Sequence, residues 1–492
     1  MKQLLFILGI LLCLIPVRAQ EDYRLELSLD EAIARARTKS VKASVALNRL
    51  KAAYWQYRSY RAELLPEVGF TATLPAYVKQ YQSYQTADGS YDFVRSHYLN
   101  MSGGLSISQN IRATGGTLSL STQLDYFRQL SDGVGNRFMA VPVALRLDQP
   151  LFGVNTVRWD SKIEPVRYAE AKAEFISASE DVASEAIAYF FNLLMAIENL
   201  DIARQNLSNA EMLYGVAREK RDMGRISRND LLQMEANMLE AQSDVTDCES
   251  EYKNRMFALR TFLDYEDNVT IVPELPGTVP DVEIPYADAL ERAMTNNKFS
   301  RNIRRRQLEA EYDVAKAKGE LREINIRLQV GYNGTGAQFR SAYNPLKDNQ
   351  VVEVGVSLPI LDWGKRRGKV KVAESNRRLT ESQLRQETQT FRQDLFIMVE
   401  RFNNQRRQLN IAQRADTIAV TRYNTNVETY LVGAISTLDL NDSQSRKDQS
   451  RRQLLSALAL YWQYWYNIRS LTLWDYENNR PIDADIDKYV RQ

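Results

Sequence analysis

Eighteen residues that occur twice constrain this chain more than any other feature. Residues 214–231 return as residues 423–440 at an offset of 209, with seven identities (Tyr214/Tyr423, Glu219/Glu428, Gly224/Gly433, Ile226/Ile435, Ser227/Ser436, Asp230/Asp439, Leu231/Leu440). Background residue usage yields roughly one. In each copy a helix-stopping glycine precedes Ser-x-x-Asp, the spacing of a capping box that opens a second helix. Residues 156–223 and 365–432 lead up to these turns with Pro165 as the sole proline. Each copy therefore predicts a tight hairpin between a helix of about 68 residues, roughly 100 Å at 1.5 Å per residue, and a returning helix. The returning helices are predicted over 229–264 and 438–469. Rods of that length exceed any ordinary domain core.

A second offset dates from the same duplication. Residues 27–40 align with 284–297 at 257 (Ala32/Ala289, Arg35/Arg292, Ala36/Ala293, Thr38/Thr295). Each segment opens a helix. The first is predicted to enter at Ser28-Leu-Asp-Glu and run unbroken to Leu65, before Pro66; the second runs to about Leu321. Since 257 and 209 differ by 48, the first repeat has 48 more residues than the second between Leu65 and Val143.

That extra length lies between strands. Ile324, Ile326, Leu328, Val330 and Tyr332 alternate with polar or small residues, as do Val352, Val354, Val356 and Leu358, and Val141, Val143, Leu145 and Leu147. Val68, Phe70 and Ala72 form a weaker fourth strand. Alternation over nine or so residues suits a tilted transmembrane strand with one lipid face and one wet face, and also a half-buried sheet of a soluble domain. Inside the insertion, taken as 73–140, two more alternating runs (105–111 and 117–126) flank Gly115-Gly116. They fit an external hairpin or additional barrel strands. Segments 77–138 and 333–350, which connect paired strands, are predicted to face the exterior.

Residues 1–19 carry Lys2, an apolar run, Pro16 and Val17-x-Ala19, the pattern of a secretory signal peptide, with the mature chain beginning at Gln20. Only Cys248 remains after cleavage, which excludes internal disulfides and cysteine metal clusters. No other stretch approaches ~18 consecutive apolar residues, so a membrane crossing must use β-strands. The 64 basic and 62 acidic residues nearly cancel, which argues against a nucleic-acid partner. One histidine, His97, and no nucleophile–histidine–acid set or phosphate-binding glycine loop point away from an enzyme, a cofactor or a metal site. The domains read as signal peptide 1–19, first repeat 20–272, proline-rich linker 273–285, second repeat 286–470 and polar tail 471–492.

With paired strands, paired long helices and the Gly-x-Ile-Ser-x-x-Asp turn in register, the mature chain resembles the TolC family of outer-membrane efflux ducts. The duplicated tip, residues 149–152 (Gln-Pro-Leu-Phe) and residues 358–364 (Leu-Pro-Ile-Leu-Asp-Trp-Gly) carry the resemblance most specifically. It implies an α+β membrane protein: a homotrimer in which four strands per chain close a transmembrane β-barrel in outer-membrane lipid, continued by a periplasmic α-barrel of helical hairpins. It implies export from a periplasmic adaptor (a membrane fusion protein) and an inner-membrane pump of RND or ABC type. Independently, a four-stranded sheet in lipid leaves two unpaired edges, so closure requires other subunits. The rival reading is a soluble periplasmic coiled-coil scaffold, with long helices and no lipid-facing strands.

The resemblance also assigns residues. Asp439 and Asp442 match lumen-facing positions of the periplasmic gate, where threefold symmetry gathers six carboxylates. Asp439 is also the fourth residue of Ser-x-x-Asp, hence a cap, whereas Asp442 has Gln233 as its counterpart and caps nothing; its plain alternative is a solvated charge. Tyr430 and Asp230 match a closing latch, although Ile435 stands where the reference latch has an arginine; Arg225 or Arg228 are candidate substitutes. Gly224, Ile226, Ser227, Gly433, Ile435 and Ser436 form the adaptor-docking tips. The aromatics of residues 461–466 read as core packing.

Overall fold

The computed structural model describes residues 23–85, 89–130, 135–277, 279–321, 324–356, 361–431, 434–435 and 437–482. These form two compact units, one of residues 51–171 and 301–388 and the other of the rest of the chain. Both the signal peptide and Leu358 lie outside the described residues.

The first unit contains one antiparallel sheet of six strands in sequential order: β1 (Glu67–Gln85), β2 (Tyr91–Asn110), β3 (Thr117–Gln129), β4 (Asn136–Leu151), β5 (Ile324–Gly336) and β6 (Lys347–Val356). The four-strand expectation is therefore corrected to six. The two runs inside the insertion pair as full neighbours, Asn110 with Thr117 through to Tyr98 with Gln129, and β3 continues into β4. Segment 77–138 is thus not a single exterior excursion. At residues 111–116 it returns to the end of the sheet where the long helices attach.

Strand register sorts the side chains cleanly. Val68, Ile107, Leu120, Leu145 and Val330 lie in one cross-strand row, and Leu118, Leu147, Leu328 and Val352 in the next. These residues share a face, and nearly all are exposed in the isolated chain. On the opposite face Ser106, Ser121, Ala144 and Gly331 form one row, and Thr117, Asp148, Arg327 and Glu353 another. A period of two along every strand produces both faces at once. Pro75 and Pro142, which cannot donate to a ladder, each fall where the register shifts, between Thr73 and Ala76 and between Ala140 and Val143.

Eight helices are described: α1 (Leu29–Lys39), α2 (Val41–Glu63), α3 (Thr156–Asp222), α4 (Arg228–Leu263), α5 (Tyr286–Asn296), α6 (Lys298–Gly319), α7 (Lys365–Leu431) and α8 (Thr437–Thr472). Helices α3 and α7 have 67 residues each, and α4 and α8 have 36 each. Within each pair the lengths agree to the residue. The single helix expected from Ser28 to Leu65 is instead two, because Ser40 adopts extended backbone and its hydroxyl accepts the N–H of Ala43. Asn297 does the same between α5 and α6, accepting from Phe299 at 2.7 Å. A small side chain that can bond forward competes with helix continuation at both places.

The second unit has a continuous core of Ile187, Phe190, Phe191, Leu259, Leu263, Phe402, Tyr461, Trp465 and their neighbours. Each large side chain contributes roughly 2–3 kcal/mol by burial. An apolar window of α3 satisfies membrane-crossing criteria by length and composition, with half of its residues buried. Two short strands missed by alternation, Tyr23–Leu27 and Val269–Pro273, pair in parallel across this unit. The linker is pinned, since Asn403 bonds both the N–H and the C=O of Ile284 and the Tyr461 hydroxyl donates to the Pro280 carbonyl. Residues 471–482 are no loose polar tail: Thr472, Leu473 and Asp475 are buried.

One charged cluster stands inside this unit. Glu180, 2% exposed, bonds Arg37 and Arg469, and Arg469 also reaches Asp475 at 3.3 Å.

Candidate functional site

The first hairpin tip closes by a Schellman arrangement. Gly224 takes φ +71°, its N–H bonds the Arg221 carbonyl at 2.9 Å, and the Arg225 N–H bonds Lys220 at 2.8 Å. Ser227 then caps α4. Its hydroxyl accepts the Asp230 N–H at 3.1 Å, while Asp230 accepts the Ser227 N–H at 3.0 Å and its hydroxyl at 2.8 Å. These bonds from the Ser227 hydroxyl and backbone hold the Asp230 carboxyl below its ordinary range.

The second tip shows the same closing bond. Ala434 donates to Thr429 at 3.1 Å, the same six-residue closure shifted by 209. Ile226 and Ile435 are both half-buried at their turns. Gly433, Ser436 and the Tyr430 side chain lie outside the described residues. Asp230 is engaged in its own capping box.

Asp439 and Asp442 occupy the first two turns of α8, and both are exposed. Asn426 donates to the Asp439 carbonyl at 3.5 Å. Asp442 is not a bare carboxylate: Arg446 contacts both its oxygens at 3.0 Å, and Arg422 of α7 reaches it at 3.0 Å. Arg446 and then Arg422 hold its carboxyl below the usual range. The Asp442/Arg446 pair was legible as an i, i+4 spacing. Arg422 was not, since it meets Asp442 only once the hairpin folds.

In the other unit the polar face of the sheet carries its own ion array. Arg327 bonds Asp148 at 3.0 Å and Glu353 at 2.8 Å, with Arg146 on Asp148 at 2.8 Å. Two acids and two bases pair there, so this cluster has no net charge. A sheet with one apolar outer face and one polar, charge-balanced face suits lipid on one side and water on the other.

The family model described as outer membrane efflux protein matches residues 99–263 and 300–472. The chain belongs to that family. Its sheet therefore stands in the outer membrane and its helical part in the periplasm, as a component of an efflux channel. A comparison with curated proteins finds no match. Among solved structures, the Campylobacter jejuni CmeC outer membrane channel aligns with a TM-score of 0.65 at 14% identity, covering 94% of this chain and 88% of that one. VceC of Vibrio cholerae gives 0.60 at 14%, covering 90% and 95%. The open state of the Neisseria gonorrhoeae MtrE outer membrane channel gives 0.56 at 15%, covering 93% and 91%. These similarities show the fold.

Proposed function

We propose that this chain is the passive outer-membrane duct of a tripartite export system. Three copies close one barrel, and a periplasmic adaptor docks on the hairpin tips and couples them to an inner-membrane pump. The observation that carries this reading is the sheet itself. Its apolar face suits lipid, but its two unpaired edges have no stable place there in a single chain, because each unsatisfied backbone group costs several kcal/mol. Ile226 and Ile435, with Gly224, Ser227, Gly433 and Ser436, form the docking turns. Asp439 and Asp442 line the gate, and Tyr430 with Asp230 act in closure. Cargo ranges over small molecules or proteins, because a wide polar tube selects little.

The test is purification from outer-membrane fractions under mild detergent. A heat-sensitive trimer that brings down an adaptor and a pump supports the duct. Recovery in the soluble periplasmic fraction overturns it. Paired substitution of Ile226→Asp and Ile435→Asp is expected to abolish adaptor capture while leaving the trimer intact; undiminished capture removes the tips from docking.

A further inference from the structure

We propose that three copies of this chain close a barrel of eighteen strands, pairing the free edge of β6 in one copy with the free edge of β1 in the next. The inference deepens the trimeric reading above and rests on it.

The alternative is that one hairpin hangs outside a smaller ring, and the observations count against it. The β2–β3 connection is a built turn. Gly115 sits at φ +77° and donates to the Ile111 carbonyl at 2.8 Å, and Ile111 donates to the Gly116 carbonyl at 2.8 Å. The start of α3 then holds it from below: Asn155 donates to the Arg112 carbonyl at 3.0 Å and also caps α3 through the Arg158 N–H at 2.9 Å. Gln149 donates to the Thr114 carbonyl at 3.1 Å. The fit is close, since a Cβ on Gly116 would stand 2.4 Å from the Gln149 side-chain oxygen and 2.9 Å from the Asp148 carbonyl. The root of β1 is tied as well, with Gln109 of β2 donating to the Leu64 carbonyl at 2.9 Å.

The pattern of side chains agrees. Leu118, Leu120 and Leu124 of β3 alternate with Ser119, Ser121 and Gln123, so the strand has one face for lipid and one for water. The apolar row crosses from β1 to β5 without interruption. A hairpin hanging in solution would need no such row.

The consequence is bore. Strands about 4.8 Å apart and tilted by about 40° give a backbone diameter of roughly 24 Å for twelve strands and roughly 36 Å for eighteen. On the polar face the row of Ser106, Ser121, Ala144 and Gly331 fills little of that width, while the Arg146, Asp148, Arg327 and Glu353 cluster projects longer side chains.

The experiment replaces Cys248 by serine and places cysteines at water-facing positions of the strands. In one arm Thr71→Cys or Thr73→Cys on β1 is combined with Asn349→Cys or Val351→Cys on β6. In the other, the same β6 positions are combined with Ser119→Cys or Ser121→Cys on β3. Native mass spectrometry of each detergent-purified variant reads the copy number separately. The expected result is at least one β1–β6 combination in which most chains run as a covalent ring of three copies without reductant, and none for β3–β6. Cross-linking of β6 to β3, or a trimer with no β1–β6 product, overturns the eighteen-stranded ring. A copy number other than three overturns the trimeric reading instead, and the β1–β6 product then still reports six strands per copy.

Discussion

Substitution of Leu120 by arginine is the sharpest probe of which face meets lipid. Leu120 lies on β3 in register with Ile107 and Leu145, three residues from the helix-bearing end of its strand. Three steps of ~3.4 Å at a tilt of ~40° place it about 8 Å up the barrel wall. The apolar band of such barrels is about 25 Å tall, so the position falls short of the midplane. Arginine there costs about 2 kcal/mol per chain, the lower end of the range of about 2–4 kcal/mol for the midplane. That is a roughly 30-fold fall in the folded-to-unfolded ratio of each copy. Ser121→Arg, one residue along on the opposite face beside Ser106 and Ala144, is expected to stay within about 0.5 kcal/mol. Urea unfolding in lipid vesicles, followed by the heat-dependent gel shift of the barrel, measures both. Equal costs at the two positions, or a greater cost at Ser121, refute the assignment of faces.

Asp442→Asn leaves Arg422 and Arg446 without their shared carboxylate, adding one positive charge per copy. Reversal potentials in a salt gradient are expected to move toward anion preference with the trimer intact, and an unchanged value takes Asp442 out of the conduction path. Arg469→Met leaves Glu180 with Arg37 alone; losing one partner of a buried charge costs about 3–5 kcal/mol, reduced to about 2–3 kcal/mol by the remaining arginine, and thermal unfolding reads the difference. Because Asp230 has its folded pKa lowered, its contribution is present above the ordinary aspartate range near 3.8 and lost as pH falls through the lower folded value. Amide exchange protection at residues 227–231, referenced to unstructured peptides at each pH, should fall at acid pH in the native chain and lose that dependence in Asp230→Asn.

What was legible in the sequence is whatever local rules determine. A helix-stopping glycine and Ser-x-x-Asp marked the first tip, and alternation found β4 to β6, β1 more weakly and runs within β2 and β3, because both signals depend on neighbours a few residues apart. Pairing partners are not local. The runs at 105–111 and 117–126 announced strands without saying whether they join the sheet, and only register with Leu145 and Val330 decides it. The parallel partners Tyr23–Leu27 and Val269–Pro273 are too short to show a period and too far apart to suggest each other. Ser40 looked helical among alanines and leucines; its forward bond to Ala43 shows only in three dimensions. Glu180 likewise gives no hint of Arg469, almost three hundred residues later. Around Asp442 the sequence showed the acid and, at i, i+4 spacing, Arg446; Arg422 reaches the carboxylate only in the folded hairpin.

The equal lengths of the two helical hairpins have a further consequence for symmetry. The two long hairpins match residue for residue in length, while the first half of the chain feeds four strands into the sheet and the second only two. In a trimer, the periplasmic tips then present six nearly equivalent turns, a pseudo-sixfold arrangement, whereas the outer rim is strictly threefold. A partner reading the tips meets a similar turn every sixty degrees or so, and a ligand on the outside meets the same surface every hundred and twenty.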